Sequence, residues 1–326
     1  MEADLVKRAG LPFAAVPAAG VHGVGPRALP GNLLRLARGY QASRRILAEF
    51  KPQVLLFTGG YVAVPMALAA RGLPSLLYVP DIEPGLALQA LSRLAHTVAL
   101  TTESSRAYFH QRTRTVVTGY PLRSDLEGWT RQSGRAHLNL DPQSSVLLVT
   151  GGSKGARSLN RAVMAVLSEI LPFTQVIWIS GSLDWDEVSS AVQALPAELA
   201  AGLRAFPYLH EMGAALSAAD LVLSRAGASA LGEYPFFGLP AVLVPYPYAW
   251  RYQKVNAGYL VDKGAARMIE DAALSEKLLP ALRDLLGPGG EQRRAPMQAA
   301  MRALARPAAS AHLAGLVRAL AAGGNS

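Results

Sequence analysis

Leu221-Val-Leu-Ser-Arg-Ala-Gly-Ala-Ser-Ala-Leu-Gly-Glu-Tyr-Pro-Phe-Phe-Gly-Leu-Pro-Ala-Val-Leu-Val-Pro245 decides the fold class. An apolar strand, Leu221 to Leu223, empties into small residues, and a helix carrying Glu233 follows. A second apolar strand, Ala241 to Val244, ends at Pro245. Small residues at a strand-to-helix turn let a ligand approach the backbone, and the N–H groups that open a helix attract phosphate. A carboxylate shortly inside such a helix can accept from ribose hydroxyls. This layout reads as a nucleotide site; a buried βα turn with a solvated Glu is the plain alternative.

Working outward, the pattern recurs. Val54-Leu-Leu-Phe-Thr-Gly-Gly60 and Val146-Leu-Leu-Val-Thr-Gly-Gly152 both run an apolar strand into a glycine pair. Gly72-Leu-Pro-Ser-Leu-Leu-Tyr-Val-Pro80 echoes Gly238-Leu-Pro-Ala-Val-Leu-Val-Pro245, each a glycine past a helix end followed by a buried strand. Strands are expected at 12–17, 53–58, 75–79, 97–101, 115–118, 145–150, 175–180, 203–206, 220–223, 241–244 and 266–269, with helices between. Continuous apolar strands alternating with helices predict parallel sheets covered on both faces, an α/β fold of two similar domains. The polar stretch near 124–144 sets the expected division at 1–140 and 141–326. Residues 291–322 read as helical, interrupted near Pro296 and Pro307.

The chain has 326 residues, half of them hydrophobic, and no cysteine. That excludes disulfides, a thiolate nucleophile and zinc–thiolate sites. No apolar run reaches the roughly 20 residues of a membrane span. The net charge of +9 is uneven: residues 1–140 hold 16 Lys/Arg against 8 Asp/Glu, and residues 141–326 hold 16 against 15. A basic first half points to an anionic partner, a phosphorylated substrate or an acidic membrane surface. Nucleic acid fits least, because no Lys/Arg cluster with interleaved aromatics occurs. The histidines show no metal-ligand spacing, so no metal or cofactor is expected.

Gly151-Gly-Ser-Lys-Gly-Ala-Arg-Ser158 also follows a strand and opens a helix. Gly151, Gly152 and Gly155 allow close approach of a diphosphate, to which Ser153 and backbone N–H groups can donate. Gln253 and Asn256, nearly one helical turn apart, are placed to address sugar hydroxyls or to form a helix-terminal polar cluster. Asp81 and Glu83 follow the strand ending at Pro80, at the ligand side of a parallel sheet; they read as a candidate base or as a polar loop. Residues 28–45 form a basic amphipathic helix. Leu33, Leu36 and Tyr40, flanked by Arg35, Arg38, Arg44 and Arg45, suit either an anionic bilayer or packing on a sheet.

Taken in order, Thr58-Gly-Gly-Tyr-Val-Ala-Val-Pro65, Gly119-Tyr-Pro-Leu-Arg123, Gly151 to Ala156, Ser224-Arg-Ala-Gly-Ala228 with Glu233, and Gln253 with Asn256-Ala257 resemble the MurG family of bacterial glycosyltransferases over nearly the whole chain. The resemblance implies a GT-B fold, two Rossmann-like domains facing a cleft, the first lacking its opening βα unit. It implies an inverting, metal-independent transfer of N-acetylglucosamine from UDP-N-acetylglucosamine to a polyprenyl-diphosphate-linked muramoyl-peptide. The enzyme would sit peripherally at the cytoplasmic face of the membrane. By matching position, Glu233 would hold the ribose and Leu209 would lie against uracil. Ser153 and Arg123 would meet the diphosphate, Arg225, Ala228 and Ser229 would belong to the donor turn, and Gln253 would address the sugar. Two departures stand out. The family's GGTGGH-type opening loop has no counterpart, and Tyr78-Val-Pro-Asp81 replaces its HEQN stretch. Asp81 or Glu83 would then substitute as base. A catalytically impaired UDP-sugar or lipid-head-group binder and a nucleotide-sugar epimerase are the alternatives.

Overall fold

The computed structural model describes residues 3, 6–7, 9–19, 29–152, 155–248 and 252–323. Two compact units arise: Met1–Pro80 with Pro84–Val117 and Ala311–Ser326, and Asp81–Glu83 with Thr118–Ser310.

The first unit holds α1 (Leu29–Phe50), β1 (Leu55–Phe57), α2 (Ala63–Ala69), β2 (Ser75–Val79), α3 (Leu86–Ser92), β3 (Thr97–Leu100) and β4 (Thr115–Val117). The strands form one parallel sheet in the order β1-β2-β3-β4. On one face Phe57, Leu77, Val79, Val98 and Leu100 pack with Ala67, Leu88 and Leu91. No strand forms at 12–17, which is a correction. Pro12 and Pro17 lack N–H donors, and residues 11–19 join no ladder. Instead the Pro17 carbonyl lies against Gly39 of α1.

The second unit contains α4 (Arg131–His137), β5 (Val146–Thr150), α5 (Arg157–Ile170), β6 (Gln175–Ile179), α6 (Trp185–Gln193), α7 (Ala197–Ala200), β7 (Leu203–Phe206), α8 (Met212–Ala218), β8 (Leu221–Ser224), α9 (Glu233–Phe237), β9 (Ala241–Leu243), α10 (Tyr252–Asp262), β10 (Ala266–Met268), α11 (Leu274–Leu286) and α12 (Gly290–Ala303). Its six strands are parallel, in the order β10-β9-β8-β5-β6-β7. The chain winds outward from β5 in one direction and from β8 in the other. Ligands of such sheets bind at the carboxyl ends of the two strands where the winding reverses.

Apolar spacing drives the helices onto this sheet. Leu159, Val163, Leu167 and Ile170 of α5 recur at helical spacing and are buried, as are Leu274, Leu278, Leu282 and Leu285 of α11. They close over Leu147, Val149, Trp178 and Leu223. The Trp178 indole N–H donates to Asn160 Oδ1 at 3.0 Å, so the largest core side chain leaves no unpaired donor. α4 lies close on α8, because a Cβ on Gly134 would sit 2.5 Å from the Ala214 carbonyl. α12 runs on through Pro296, contrary to the expected interruption there. Buried Met297 and Met301 hold the turn that follows, and the break comes at residues 304–308. The last helix, α13 (Ala309–Ala321), sets Leu313, Leu316, Val317 and Leu320 against Leu76, Tyr78 and Ala99 of the first sheet.

Candidate functional site

Strands β5 and β8 are adjacent and in register, Thr150 opposite Ser224, so the turns that follow them open side by side. Beyond them lies a cavity of about 470 Å³. The β5 turn contributes Thr150, Gly151 and Gly152, and the β8 turn contributes Arg225, Gly227 and Ser229. Gly152 and Gly155 take φ of 86° and 81°, which side-chain-bearing residues rarely adopt, and Gly155 N–H closes the turn on the Gly152 carbonyl at 2.9 Å. Among the described residues no side chain caps α5, which leaves its first-turn N–H groups available to an anion.

Glu233 opens α9 at the cavity wall. Burial pushes its carboxyl above the usual range, against the opposing pull of the Arg123 charge and a hydrogen bond from Ser229. Tyr120 fits against Gly232, where a Cβ would come within 2.6–2.8 Å of its side chain. Burial raises the Tyr120 phenol too, helped by the charges of Glu233 and Asp81. The Gln253 amide oxygen accepts from Tyr246 N–H at 2.9 Å, which orients its NH₂ group.

Of the expected residues, Gly151, Gly152, Arg123, Leu209, Arg225, Ser229, Glu233 and Gln253 all line this one cavity. Gly155 lines a neighbouring cavity of about 790 Å³. Ala228 begins a short 3₁₀ turn between Gly227 and Ser229, and Ser153 lies outside the described residues. Arg225 is committed to protein partners. It meets Asp271 at 2.5 Å, Ser158 Oγ at 2.7 Å and the Val244 carbonyl at 3.1 Å, and stacks over Tyr246. It braces the β8 turn against the start of α5.

Asn256, which the sequence offers as facing sugar or as part of a helix-terminal polar cluster, is held by other parts of the chain. It is fully buried. Its NH₂ donates to Asp81 Oδ1 at 2.8 Å and to the Ala226 carbonyl at 3.2 Å, while its oxygen accepts from Ile82 N–H at 3.1 Å. The amide therefore joins Asp81 to the β8 turn. Burial raises the Asp81 carboxyl, and the Asn256 bond opposes that rise. Glu83 is buried nearby.

Tyr208 and Met212 also line the cavity, and neither was expected from the sequence. Tyr208 packs edge-on to His210 at 4.8 Å. Its position shortly after β7, at a carboxyl strand end, is the signal that could have found it. In the first unit, Leu33, Tyr40, Arg35, Arg38, Arg44 and Arg45 of α1 are exposed and Leu36 is half-buried. Among the described residues no helix is long and apolar enough to cross a membrane, and no cluster of acidic or histidine side chains could hold a metal.

Residues 146–312 match the model for the glycosyltransferase family 28 C-terminal domain, and residues 1–100 match that for the family 28 N-terminal domain. The chain belongs to glycosyltransferase family 28. A family 28 relative from Roseiflexus sp. (strain RS-1), a UDP-N-acetylglucosamine–N-acetylmuramyl-(pentapeptide) pyrophosphoryl-undecaprenol N-acetylglucosamine transferase, is 42% identical over 98% of this chain and 81% of its own length. A protein of the same name from Desulforudis audaxviator (strain MP104C) is 38% identical over 99% of this chain and 88% of its own. The crystal structure of Acinetobacter baumannii MurG superposes with a TM-score of 0.73 at 26% identity, over 98% of this chain and 88% of that one. A putative UDP-N-acetylglucosamine 2-epimerase from Listeria monocytogenes reaches 0.67 at 12% identity and shares the fold alone. The expected α/β class, with parallel sheets and GT-B-like neighbours, is thus the class of this family 28 chain.

Proposed function

We propose that this family 28 chain transfers N-acetylglucosamine from UDP-N-acetylglucosamine to the muramoyl hydroxyl of a polyprenyl-diphosphate-linked muramoyl-pentapeptide, converting lipid I to lipid II. The observation that carries this reading is the 42% identity, over 98% of the chain, to a relative bearing that transferase name. The cavity at the winding reversal of the six-stranded sheet supports it.

In this reading Glu233 accepts from the ribose diol, Leu209 and Tyr208 flank uracil, and Gln253 donates to a sugar hydroxyl. The acceptor hydroxyl attacks the anomeric carbon from the face opposite UDP. The bond to the diphosphate oxygen breaks, configuration inverts and UDP leaves. The departing charge goes to the N–H groups of the Gly151–Gly152 turn, to Ser153 and to Arg123, with the Ala228–Ser229 turn alongside and no metal required. Asp81 takes the proton of the attacking hydroxyl, its raised pKa bringing it nearer the working range of a general base. Glu83, buried beside it, is the reserve candidate.

The enzyme attaches peripherally to the cytoplasmic face of the membrane through α1, where Leu33, Leu36 and Tyr40 lie among Arg35, Arg38, Arg44 and Arg45. Each basic residue near an anionic surface contributes roughly 1 kcal/mol.

Labelled UDP-N-acetylglucosamine incubated with lipid I is the test. Label moves to the lipid, and Asp81→Asn lowers kcat with little change in KM for the donor. UDP binding without transfer would instead favour the impaired-binder reading, to which the Tyr78-Val-Pro-Asp81 replacement lends weight. Conversion of the free UDP-sugar to its 2-epimer would point to an epimerase. Co-sedimentation with anionic vesicles, weakened when the four arginines become glutamine, tests attachment.

A further inference from the structure

At the amino ends of the same central strands, β5 and β8, lies a second cavity, of about 660 Å³. One wall is the face of α12 carrying Glu291, Arg294, Gln298 and Arg302; the facing wall holds Arg131 and Asp220. Asp220 immediately precedes β8, whereas the donor cavity opens past that strand's other end. At about 3.3 Å per residue, the strands hold the two cavities some 15 Å apart.

We infer that this cavity binds a small tetrahedral oxyanion, inorganic phosphate or a phosphate monoester, at a site distinct from the donor cavity. The inference does not rest on the transferase reading.

Arg294 is the first support. It is 7% exposed and lines the cavity, its Nη1 donates to the Leu285 carbonyl, and among the described residues its Nε has no hydrogen-bond partner. A buried cation with an unpaired donor is costly, and an anion beside it relieves both deficits. Burial also lowers the Arg294 pKa, against the opposing charges of Asp220 and Glu291.

The start of α12 is the second. The helix follows Gly287-Pro-Gly-Gly290, its N-cap Gly289 sits at φ 71°, and no side chain caps it. Gly290 N–H is taken by the Gly287 carbonyl at 2.9 Å, so the N–H groups of Glu291 and Gln292 and the positive end of the helix dipole are left to an external acceptor. Gly290 is required for this approach: a Cβ there would press on the Leu285 carbonyl and lie 3.2 Å from Arg294 Nη1.

Charge is the third. The lining carries three arginines, Arg131, Arg294 and Arg302, against two carboxylates, Asp220 and Glu291. Asp220 is already spent on Arg131, on Arg135 at 2.8 Å and on Val146 N–H at 2.8 Å. Its charge still reaches Arg294, and Glu291 adds the second carboxylate that competes with an incoming anion.

Titration calorimetry of the full chain at low salt, with inorganic phosphate and with glycerol phosphate, is the test. Phosphate binds; R302Q weakens it at least fivefold, E291Q tightens it, and R123Q, in the donor cavity, leaves it unchanged. Equal binding of both probes marks recognition of the oxyanion alone. Tighter glycerol phosphate marks a monoester such as a lipid headgroup. Hydrogen exchange gives a second readout: phosphate slows the amides of residues 291 and 292. Arg302 is exposed, so R302Q spares the fold where R294Q need not. The inference is overturned if neither probe binds, if R302Q binds phosphate like the parent, if binding is lost in R123Q, or if those amides are unaffected.

Discussion

Asp220 and Glu233 lie beyond opposite ends of the same central strand, β8, and their surroundings contrast. Asp220 is 4% exposed and has both oxygens filled, by Arg131, Arg135 and the Val146 N–H. Its partner Arg135 is equally buried and gathers the carbonyls of Ala218, Asp141, Pro142 and Ser144. Glu233 faces a cavity and draws on Ser229 and Arg123, yet burial still outweighs them and raises its pKa. A carboxylate satisfied within the chain serves folding. One that is buried and underserved has capacity left for a ligand.

Asp220→Ala breaks the first half of this contrast and carries the largest expected effect. It leaves the Arg135 guanidinium buried without its counter-ion, a loss of about 3–5 kcal/mol. Urea unfolding of the second unit shifts to a lower midpoint at unchanged slope, while UDP affinity of the folded fraction stays the same. An unmoved midpoint would sink the assignment of Asp220 to folding.

Glu233→Ala tests the other half. UDP binding weakens by about 1.5–3 kcal/mol, as for hydrogen bonds to a charged group, or roughly ten- to a hundredfold. Stability holds or rises slightly, because a desolvated carboxylate is removed. Calorimetry that finds the parent affinity would take Glu233 out of the site.

The sequence made the two strand ends unequally legible. The donor end announces itself because phosphate-binding turns need glycine and small residues next to strand ends, and that requirement is local: Gly151 and Gly152 can be read from one stretch, Gly227 and Glu233 from another. Ten of eleven expected strands formed for the same reason, since apolar runs bounded by glycine, proline or polar residues are local signals. The exception, 12–17, is apolar and extended but carries two prolines. The Asp220 network was invisible, because Arg135, Asp220 and the 141–144 carbonyls are brought together by packing of α4 on α8. The Asn256 contacts are hidden for a related reason: its spacing from Gln253 suggests a shared sugar face or a helix-terminal polar cluster, whereas its amide bonds Asp81, 175 residues away in sequence.

The pH dependence sharpens the comparison at intermediate size. The Glu233 pKa is raised in the folded protein, so the folded state holds its proton to a higher pH than the unfolded chain does. Its contribution to stability is therefore fully present below the unfolded pKa and is lost as pH rises through the folded one. Ribose hydroxyls donate to the carboxylate form, so UDP affinity runs the other way. It is full above the raised pKa and falls by up to about tenfold per pH unit below it. Unliganded stability and UDP affinity thus change in opposite directions across the mildly acidic range, and Glu233→Ala flattens both limbs. Parallel changes in the two would mean that another group controls binding.

Ser229→Ala carries the smallest effect and separates direct from indirect roles. The Ser229 hydroxyl bonds Glu233 and lowers its pKa, and Ser229 also lines the cavity. Without the hydroxyl the carboxylate loses a donor, and its pKa rises further under the unopposed effect of burial. UDP affinity at neutral pH falls by about 0.5–1.5 kcal/mol, the net worth of one hydrogen bond. The acidic limb of binding shifts to higher pH, because protonation now competes sooner. Those two changes occur together only if Ser229 acts through Glu233. Weaker UDP binding with an unshifted limb would assign the hydroxyl to the ligand itself. A shifted limb with unchanged neutral-pH affinity would make it a support for the carboxylate and nothing more.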